Sequence, residues 1–148
     1  MARTEGSIRI EAPPEEVMAV ITDFETYPSW AGMRTAEVLE TDEEGRPQQV
    51  AFELEASGMQ ATYTLALDYP ADHLGLAWVS TEAGGVVRHV EGAYRLEASG
   101  DGTEVTYDLT VEPAIPLPGF LRRRAERAIV STALEGLKRR VEEGGSGA

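Results

Sequence analysis

The sequence predicts an α+β fold in which a long C-terminal helix lies against one face of an antiparallel sheet. Apolar and polar residues alternate through residues 36–112, the pattern of strands with one covered face and one solvated face. Turn signals interrupt this region at short intervals, so its strands are expected to follow one another as a meander. After the strand-breaking segment PAIPLPG at 113–119, the chain contains no further proline and is rich in helix formers.

The N-terminal segment predicts one strand followed by two short helices. Residues 7–11 (SIRIE) alternate polar and apolar side chains, as a half-buried strand does. Pro13 and Pro14 suit the first turn of a helix, where a missing amide donor costs nothing. The apolar residues of that helix fall on one stripe: Val17, Val20, Ile21 and Phe24. Residues 22–25 have the spacing of a capping box and predict a second, very short helix, which Pro28 is expected to end.

Residues 36–112 predict six strands joined by five turns. The turn signals are EEG at 43–45, SG at 57–58, PAD at 70–72, GG at 84–85 and GDG at 100–102. Positions two residues apart place one apolar set on the covered face: Val50, Phe52, Leu54, Tyr63, Leu65, Leu67, Leu74, Leu76, Trp78, Val90, Tyr94, Leu96, Val105, Tyr107, Leu109 and Val111. Glu53, Glu55 and Thr62 fall on the opposite, solvated face.

Residues 118–141 predict a helix of about six turns that covers the sheet. One arc of this helix consists mostly of small residues and is expected to face the strands: Leu121, Ala125, Ala128, Ile129, Thr132, Ala133 and Gly136. Such a helix either packs very close to the sheet or leaves space beneath it. We expect one domain over residues 1–141 and a disordered tail over residues 142–148.

The composition disfavours several classes of protein. The 148 residues include no cysteine and only two histidines, His73 and His89, which argues against a zinc site, and no cofactor is expected. The net charge of -13 argues against nucleic-acid binding. The amino end MARTEGS lacks the pattern of a signal peptide, and no apolar run is long enough to span a bilayer, so a cytoplasmic protein is expected, with at most transient membrane contact. The oligomeric state is left open.

The charges are unevenly distributed along the chain. Residues 1–117 carry 22 acidic and 6 basic side chains, whereas residues 118–141 carry 2 acidic and 7 basic ones. Two interpretations of the basic segment remain open. Arg122 to Arg127 either solvate one helix face or contact an anionic partner.

These elements together resemble a known superfamily. The order of strand, APPEEVMAVITDFETYPSW, meander and long terminal helix is similar to the START-related, Bet v 1-like proteins called SRPBCC, and above all to their polyketide cyclase/dehydrase group. The segments IRIEAPPEEV, D-x-x-x-YPSW and EGAYRLEASGDGT carry the resemblance, which covers residues 5–141. It implies a helix-grip fold, in which a curved sheet of about seven strands wraps round the terminal helix. It also implies a cavity between sheet and helix for a hydrophobic small molecule.

The candidate ligand-binding residues lie on the predicted covered face, on the helix–turn–helix segment and on the terminal helix. They are Tyr27, Trp30, Phe52, Leu54, Tyr63, Leu65, Trp78, Arg88, Tyr94, Phe120, Ala125, Ala128 and Thr132. Tyr27 and Trp30 are expected either at the mouth of the cavity or as plugs of a filled core. Strict alternation turns Arg88 toward the cavity, unless Gly92 marks a bulge that reverses its direction.

Three functions are compatible with this pattern, and a non-catalytic carrier of a lipid, quinone or polyketide-like molecule is favoured. The aromatase/cyclases of the family carry an arginine near the end of the long strand before Pro70, where this chain has Leu67, Asp68 and Tyr69. The sequence also lacks a G-x-S-x-G motif and a glycine-rich phosphate loop, and no catalytic residue is assigned. The alternatives are a polyketide aromatase/cyclase or dehydratase and an accessory protein recruited through its basic helix.

Overall fold

The computed structural model of the chain describes residues 4–30, 33–56 and 59–143. Seven antiparallel strands form one open sheet in the order β1-β7-β6-β5-β4-β3-β2, which confirms the predicted meander and helix-grip architecture. The elements are β1 Thr4–Ile10, α1 Pro14–Ile21, a 3-10 turn Phe24–Thr26, α2 Tyr27–Trp30, β2 Thr35–Thr41, β3 Pro47–Ala56, β4 Met59–Asp68, β5 Gly75–Gly85, β6 Val87–Ser99, β7 Gly102–Pro113 and α3 Gly119–Glu142. The predicted SG turn at 57–58 and residues 144–148 of the predicted tail lie outside the described residues.

The N-terminal strand completes the sheet by pairing with the last strand of the meander. Ile8 of β1 lies opposite Val105 of β7, and Thr4 lies opposite Leu109. The chain leaves the sheet after Ile10, and α1 begins at Pro14 as predicted. Val17, Val20 and Ile21 are almost fully buried, so the apolar stripe of α1 is packed as its spacing indicates.

The connection after α1 differs from the capping box that residues 22–25 suggested. The Thr22 hydroxyl donates to the carbonyl oxygen of Met18 at 2.8 Å instead of capping the next turn. Pro28 does not end a helix but lies within α2, because its missing amide donor costs nothing in a first helical turn. The sequence therefore indicated a break and a short helix correctly but placed the proline on the wrong side of the boundary.

The long helix α3 packs on β1 and β7 through a stripe that sequence analysis predicted only in part. Its buried residues are Glu126, Val130, Ala133, Leu134, Gly136, Leu137 and Val141. The predicted arc shares Ala133 and Gly136 with this stripe but was otherwise rotated away from it, since Ala125 and Ala128 are exposed. The first residue of the buried stripe is Glu126, and a charged residue at this position interrupts the apolar periodicity by which such a stripe is recognised.

Glu126 is buried because two donors from the sheet satisfy its carboxylate. One oxygen accepts a 2.6 Å hydrogen bond from the Thr4 hydroxyl of β1, and the other accepts a 2.7 Å hydrogen bond from the backbone N–H of Val111 in β7. Only 1% of the residue is exposed. Since a buried charge is tolerated only when its hydrogen bonds are made, these contacts fix the position of α3 over β1 and β7.

Gly136 allows the terminal helix to approach α2 at backbone distance. A Cβ atom at this position would lie 2.2 Å from the carbonyl oxygen of Trp30, which is far inside van der Waals contact. Sequence analysis left open whether the arc that contains Gly136 packs very close to the sheet or leaves space beneath it. The structure instead shows a close contact between α3 and the carboxyl end of α2.

We expect Gly136→Ala to destabilise the protein although alanine favours helix. Helix propensity alone would add up to about 1 kcal/mol of stability, whereas forcing the backbones apart costs about 1–3 kcal/mol. Gly119→Ala is the matched control in the same helix, because its Cβ would contact only the flexible end of Arg123 at 3.4 Å. Chemical denaturation of both variants measures the difference, and equal stability of the two would refute the close contact.

Candidate functional site

A cavity of about 270 Å³ lies between α3 and the concave face of the sheet. Strands β3 to β7 supply most of its wall, the segment after α1 closes one end, and α3 supplies one side. The lining residues are Phe24, Tyr27, Met33, Phe52, Leu54, Ala61, Tyr63, Leu65, Leu67, Leu76, Trp78, Val87, Val90, Tyr94, Tyr107, Leu109, Val111, Ala128, Ile129, Thr132 and Ala133. The volume is near the lower end of the range of cavities that enclose small ligands, ~300–1,000 Å³.

Nine of the candidate residues line this cavity, and four do not. Those that line it are Tyr27, Phe52, Leu54, Tyr63, Leu65, Trp78, Tyr94, Ala128 and Thr132. Ala128 and Thr132 are also exposed, so they mark the rim where the cavity meets solvent along α3. Trp30, Arg88, Phe120 and Ala125 lie elsewhere, each for a different reason.

Tyr27 and Trp30 do not face water at the mouth. Both are buried, with their ring centroids 4.6 Å apart. The Tyr27 ring lines the cavity, but its hydroxyl donates to the carbonyl oxygen of Ile21 at 2.5 Å. Trp30 lies behind it against Gly136, and its indole N–H donates to the Thr26 hydroxyl at 3.2 Å. Of the two roles left open by the sequence, Trp30 therefore has the packing role, and Tyr27 forms part of the wall.

Arg88 points away from the cavity because of a β-bulge, although not the one that Gly92 suggested. Val87 lies opposite Pro113 and His89 lies opposite Glu112, so β6 holds one extra residue at this point. The bulge turns Val87 toward the cavity and leaves the Arg88 side chain 66% exposed, 3.3 Å from a Glu112 carboxylate oxygen. The pairing through Gly92 is regular, and alternation failed because it assumed an unbroken strand.

Phe120 and Ala125 lie on α3 but outside the cavity. Phe120 belongs to the first turn and is 63% exposed, and Ala125 is also exposed. Both positions follow from the rotation of α3, since Glu126 and Val130 occupy the face that meets the sheet. The cavity is instead bordered by the flank of the helix that carries Ala128, Ile129, Thr132 and Ala133.

One aromatic group of the cavity wall consists of Trp78, Tyr94 and Tyr107, whose rings contact one another. Their centroids are 4.6 to 5.5 Å apart, and the two pairs that include Tyr107 are edge-to-face. Gly92 lies opposite Trp78 on the neighbouring strand, and a Cβ atom there would lie 3.0 Å from the indole ring. The missing side chain at Gly92 therefore makes room for the Trp78 ring on the inner face.

The hydroxyl groups of the four lining tyrosines differ in their partners. Tyr27 donates to Ile21, and Tyr63 lies 3.5 Å from the Met33 sulfur. Within the described part of the chain, the hydroxyls of Tyr94 and Tyr107 have no hydrogen-bond partner, yet no fully enclosed polar atom is left unpaired. Both hydroxyls therefore remain accessible from the cavity, where they are available as hydrogen-bond donors.

Burial keeps these phenols neutral. It raises the pKa of Tyr27, Tyr94 and Tyr107 well above the ordinary tyrosine value, and neighbouring tyrosines add to the effect. Asp23 adds to it for Tyr27, and Asp108 for Tyr107. Burial also raises the pKa of Tyr63. At neutral pH the tyrosines of the cavity therefore act as hydrogen-bond donors and not as phenolate bases.

Sequence reasoning did not select several residues that complete the wall. These are Phe24, Met33, Ala61, Leu67, Leu76, Val87, Val90, Tyr107, Leu109, Val111, Ile129 and Ala133. Most of the strand residues were assigned to the covered face by their period of two. Strand periodicity shows which face of the sheet is covered, but it does not show which part of that face α3 covers. The residues that border the cavity could therefore not be selected from the covered face.

An open antiparallel sheet closed over one long helix, with an apolar cavity between them, defines a START-like ligand-binding fold. The chain belongs to the family described as polyketide cyclase/dehydrase and lipid transport, whose model matches residues 1–142. The family and the superfamily resemblance are thus confirmed. A search among curated proteins finds no match.

Solved structures share this fold along nearly the whole chain. A START superfamily protein from Mycobacterium smegmatis has a TM-score of 0.87 at 23% identity, over 95% of this chain and 97% of that protein. A Thermus thermophilus protein has a TM-score of 0.80 at 24% identity, with coverages of 98% and 100%. The Zhui aromatase/cyclase from a Streptomyces species has a TM-score of 0.74 at 19% identity, with coverages of 97% and 94%. At these identities the similarity shows the fold alone.

Among the described residues, no helix is both long and apolar enough to cross a membrane.

Burial of the tyrosines predicts a loss of stability at alkaline pH. Their folded-state pKa values lie above the unfolded value of about 10, so the stabilisation is complete below pH ~10 and is lost as the pH rises through the folded values. We expect phenolate absorbance from Tyr27, Tyr63, Tyr94 and Tyr107 to develop only as the protein unfolds. Parallel absorbance and circular dichroism titrations measure this, with the chain in denaturant as control. Ionisation of all five tyrosines near pH 10 in the folded protein would contradict it.

Proposed function

We propose that this protein is a non-catalytic carrier that binds a hydrophobic small molecule in the cavity between the sheet and α3. The observation that supports the proposal is the chemistry of the wall. Among the described lining residues, all are aliphatic, aromatic or methionine side chains except Thr132 at the rim. Such a surface favours a ligand that is largely apolar, because each Å² of apolar surface removed from water contributes about 25 cal/mol.

The chemistry of the same wall favours a carrier over an enzyme. None of the described lining residues is Asp, Glu, His, Lys or Arg, so the cavity presents no side chain that exchanges a proton near neutral pH. At the end of β4, Leu67 takes the inward position and Asp68 is exposed. The resemblance associates cyclase chemistry with an arginine near this position. Arg88 does not replace it, because the Arg88 side chain lies outside the cavity and pairs with Glu112.

Tyr94 and Tyr107 narrow the class of ligand. Their hydroxyls are accessible donors in an otherwise apolar wall, and they lie on directly opposed residues of β6 and β7. An unpaired donor next to an enclosed ligand costs free energy, so a ligand that offers an acceptor there is favoured over a pure hydrocarbon. We infer an apolar molecule that carries a carbonyl or similar oxygen, such as a quinone, a fatty acid or a polyketide.

A second candidate is a polyketide aromatase/cyclase or dehydratase. The family description and the fold shared with the Zhui aromatase/cyclase favour it. Two neutral phenols are also able to polarise a ketone by hydrogen bonding. This candidate ranks second because no side chain of the described wall is suited to take a proton from the substrate.

Blocking the rim should weaken ligand binding without unfolding the protein. Ala128→Phe places a ring where the cavity meets α3, while Ala125→Phe makes the same change on an exposed position outside it. We expect Ala128→Phe to raise the Kd at least roughly tenfold, a free-energy loss of about 1.4 kcal/mol, and Ala125→Phe to leave it unchanged. The free energy of unfolding of both variants should lie within about 0.5 kcal/mol of that of the parent, as is usual for surface substitutions.

Fluorescence measures this binding directly, because the chain contains only two tryptophans. In a Trp30→Phe background, Trp78 in the cavity wall is the sole tryptophan reporter. Fatty acids, quinones and aromatic polyketides are titrated in, with displacement of a hydrophobic dye as a second readout. Flat emission and no displacement across all three ligand classes would overturn the proposed function.

Removing the two free hydroxyls should reduce selectivity for oxygen-bearing ligands. Tyr94→Phe and Tyr107→Phe are each expected to weaken binding of a quinone by about 0.5–1.5 kcal/mol, while a hydrocarbon of similar size binds unchanged or slightly better. Tyr69→Phe is the control, because Tyr69 donates to the Pro47 carbonyl oxygen at 2.5 Å and does not line the cavity. Isothermal titration of both ligands to each variant measures the effect.

The same variants separate carrier from enzyme. A linear poly-β-ketone released by a synthase should give one product mixture with and without the protein. Regiospecific ring closure that depends on Tyr94 or Tyr107 would show that the protein is a cyclase and that carriage is not its main activity.

A further inference from the structure

Exposed apolar side chains are concentrated where β7 leads into α3. Ile115, Leu117, Phe120 and Leu121 are 48%, 43%, 63% and 37% exposed. In the rest of the described chain, only Leu39 and Val79 are large apolar residues with comparable exposure. A group of exposed apolar residues is uncommon on a protein surface that contacts only water, so this segment is a candidate contact surface.

Exposed arginines adjoin these apolar residues. Phe120, Arg123, Arg124 and Arg127 are spaced at i, i+3, i+4 and i+7, so they share one face of α3. All three arginines are exposed. The only carboxylate between residues 115 and 128 is Glu126, which is buried against Thr4 and Val111. We call Ile115, Leu117, Phe120, Leu121, Arg123, Arg124 and Arg127 the docking patch.

The arginines of the patch differ from those of the sheet. Among the described residues, Arg9, Arg34, Arg46, Arg88 and Arg95 each form an ion pair with a carboxylate of this chain. For Arg123, Arg124 and Arg127, the described part of the chain provides no such partner. Their charge is therefore available to an anionic surface outside the protein.

We propose that the docking patch binds the surface of an anionic lipid bilayer. Large apolar side chains beside arginines, with no exposed carboxylate among them, are the composition of segments that lie in the interface of a membrane. Anionic headgroups attract the arginines, and the apolar side chains enter the boundary between headgroups and acyl chains. The remaining surface is strongly acidic, so repulsion from the same headgroups orients the molecule with this patch toward the bilayer.

A bilayer fits these observations better than a nucleic acid. A phosphate backbone would use the arginines but would leave Phe120 and Leu121 in water, and the net charge of -13 opposes it. The bilayer also gives the patch a role beside the cavity. Leu121 of the patch and Ala128 on the cavity rim are seven residues apart and share one face of α3, so the patch places the rim next to the acyl region from which an apolar ligand would enter.

Vesicle flotation with the full chain tests the proposal without any cavity ligand. We expect the protein to float with vesicles of phosphatidylcholine and phosphatidylglycerol at low salt, but not with phosphatidylcholine alone. Binding should weaken as salt screens the arginines. Arg123→Gln/Arg124→Gln should lower the affinity roughly thirtyfold, since each arginine near an anionic surface contributes a factor of roughly five. Phe120→Ser should lower it as well.

Matched variants separate the patch from general effects of charge and apolarity. Arg88→Gln/Arg95→Gln removes the same charge from ion-paired arginines of the sheet, and Leu39→Ser removes an exposed apolar residue elsewhere. Both controls should float like the parent. Because all these positions are exposed, thermal unfolding should be nearly unchanged and failure to fold can be recognised.

Three results would overturn the proposal. The first is no flotation with phosphatidylglycerol vesicles at low salt. The second is equal loss in the patch variants and in their controls. The third is a self-associating parent that Phe120→Ser converts to monomer without any vesicle binding, which would show that a second copy covers the patch. Since the vesicles carry no cavity ligand, a failure of the flotation experiment does not affect the proposed function, which the ligand titrations test separately.

Discussion

One helix is too narrow to cover a seven-stranded sheet, and the interior of this protein follows from that mismatch. Strands about 4.8 Å apart make seven strands roughly 29 Å wide, whereas a helix with its side chains is about 10–12 Å across. The buried stripe of α3 packs on β1 and β7, where Glu126 accepts hydrogen bonds from Thr4 and Val111. The inner faces of β3 to β6 are therefore left beside the helix and not beneath it, and there the cavity lies.

Aromatic rings close one end of the space that α3 leaves. Phe24 and Tyr27 come from the connection after α1, and their centroids lie 6.1 and 5.6 Å from that of Phe52 on β3. Phe52 in turn contacts Tyr63 on β4, with centroids 5.7 Å apart. Behind these rings, α2 packs against α3 through the close contact between Gly136 and the Trp30 carbonyl. The rim at Ala128 and Thr132 remains exposed, so the wall is continuous at one end and open along the helix.

Polar groups are distributed differently over the outer face of the sheet, the cavity wall and the start of α3. Apart from Glu126 beneath α3, the charged side chains described above lie on the outer face, where sheet arginines pair with carboxylates, and the described cavity wall contains none. Among the residues that the structure describes, the hydroxyls of the cavity without a hydrogen-bond partner belong to Tyr94 and Tyr107, which burial keeps neutral. At the start of α3 the pattern is reversed, because apolar and basic side chains are exposed together. The interior thus suits an apolar guest with an oxygen atom, and the helix start suits an anionic, apolar boundary.

The sequence by itself determined the elements and the covered face of the sheet. Alternation in segments such as 50–54 and 61–67 specifies which side of a strand is buried, and the proline-free run after Pro118 specifies a long helix. These features are local, since a period of two or 3.6 depends only on the geometry of one element. For the same reason nine of the candidate residues lie on the cavity wall.

Only the tertiary structure decided how these elements meet. The rotation of α3 depends on Thr4 and Val111, which are distant in sequence from Glu126, so Ala125 and Phe120 were wrongly placed in the cavity. The direction of Arg88 depends on the pairing of β6 with β7, where one extra residue reverses the alternation. Periodicity records that a face is covered but not by which partner, because the covering contacts join residues far apart in the chain.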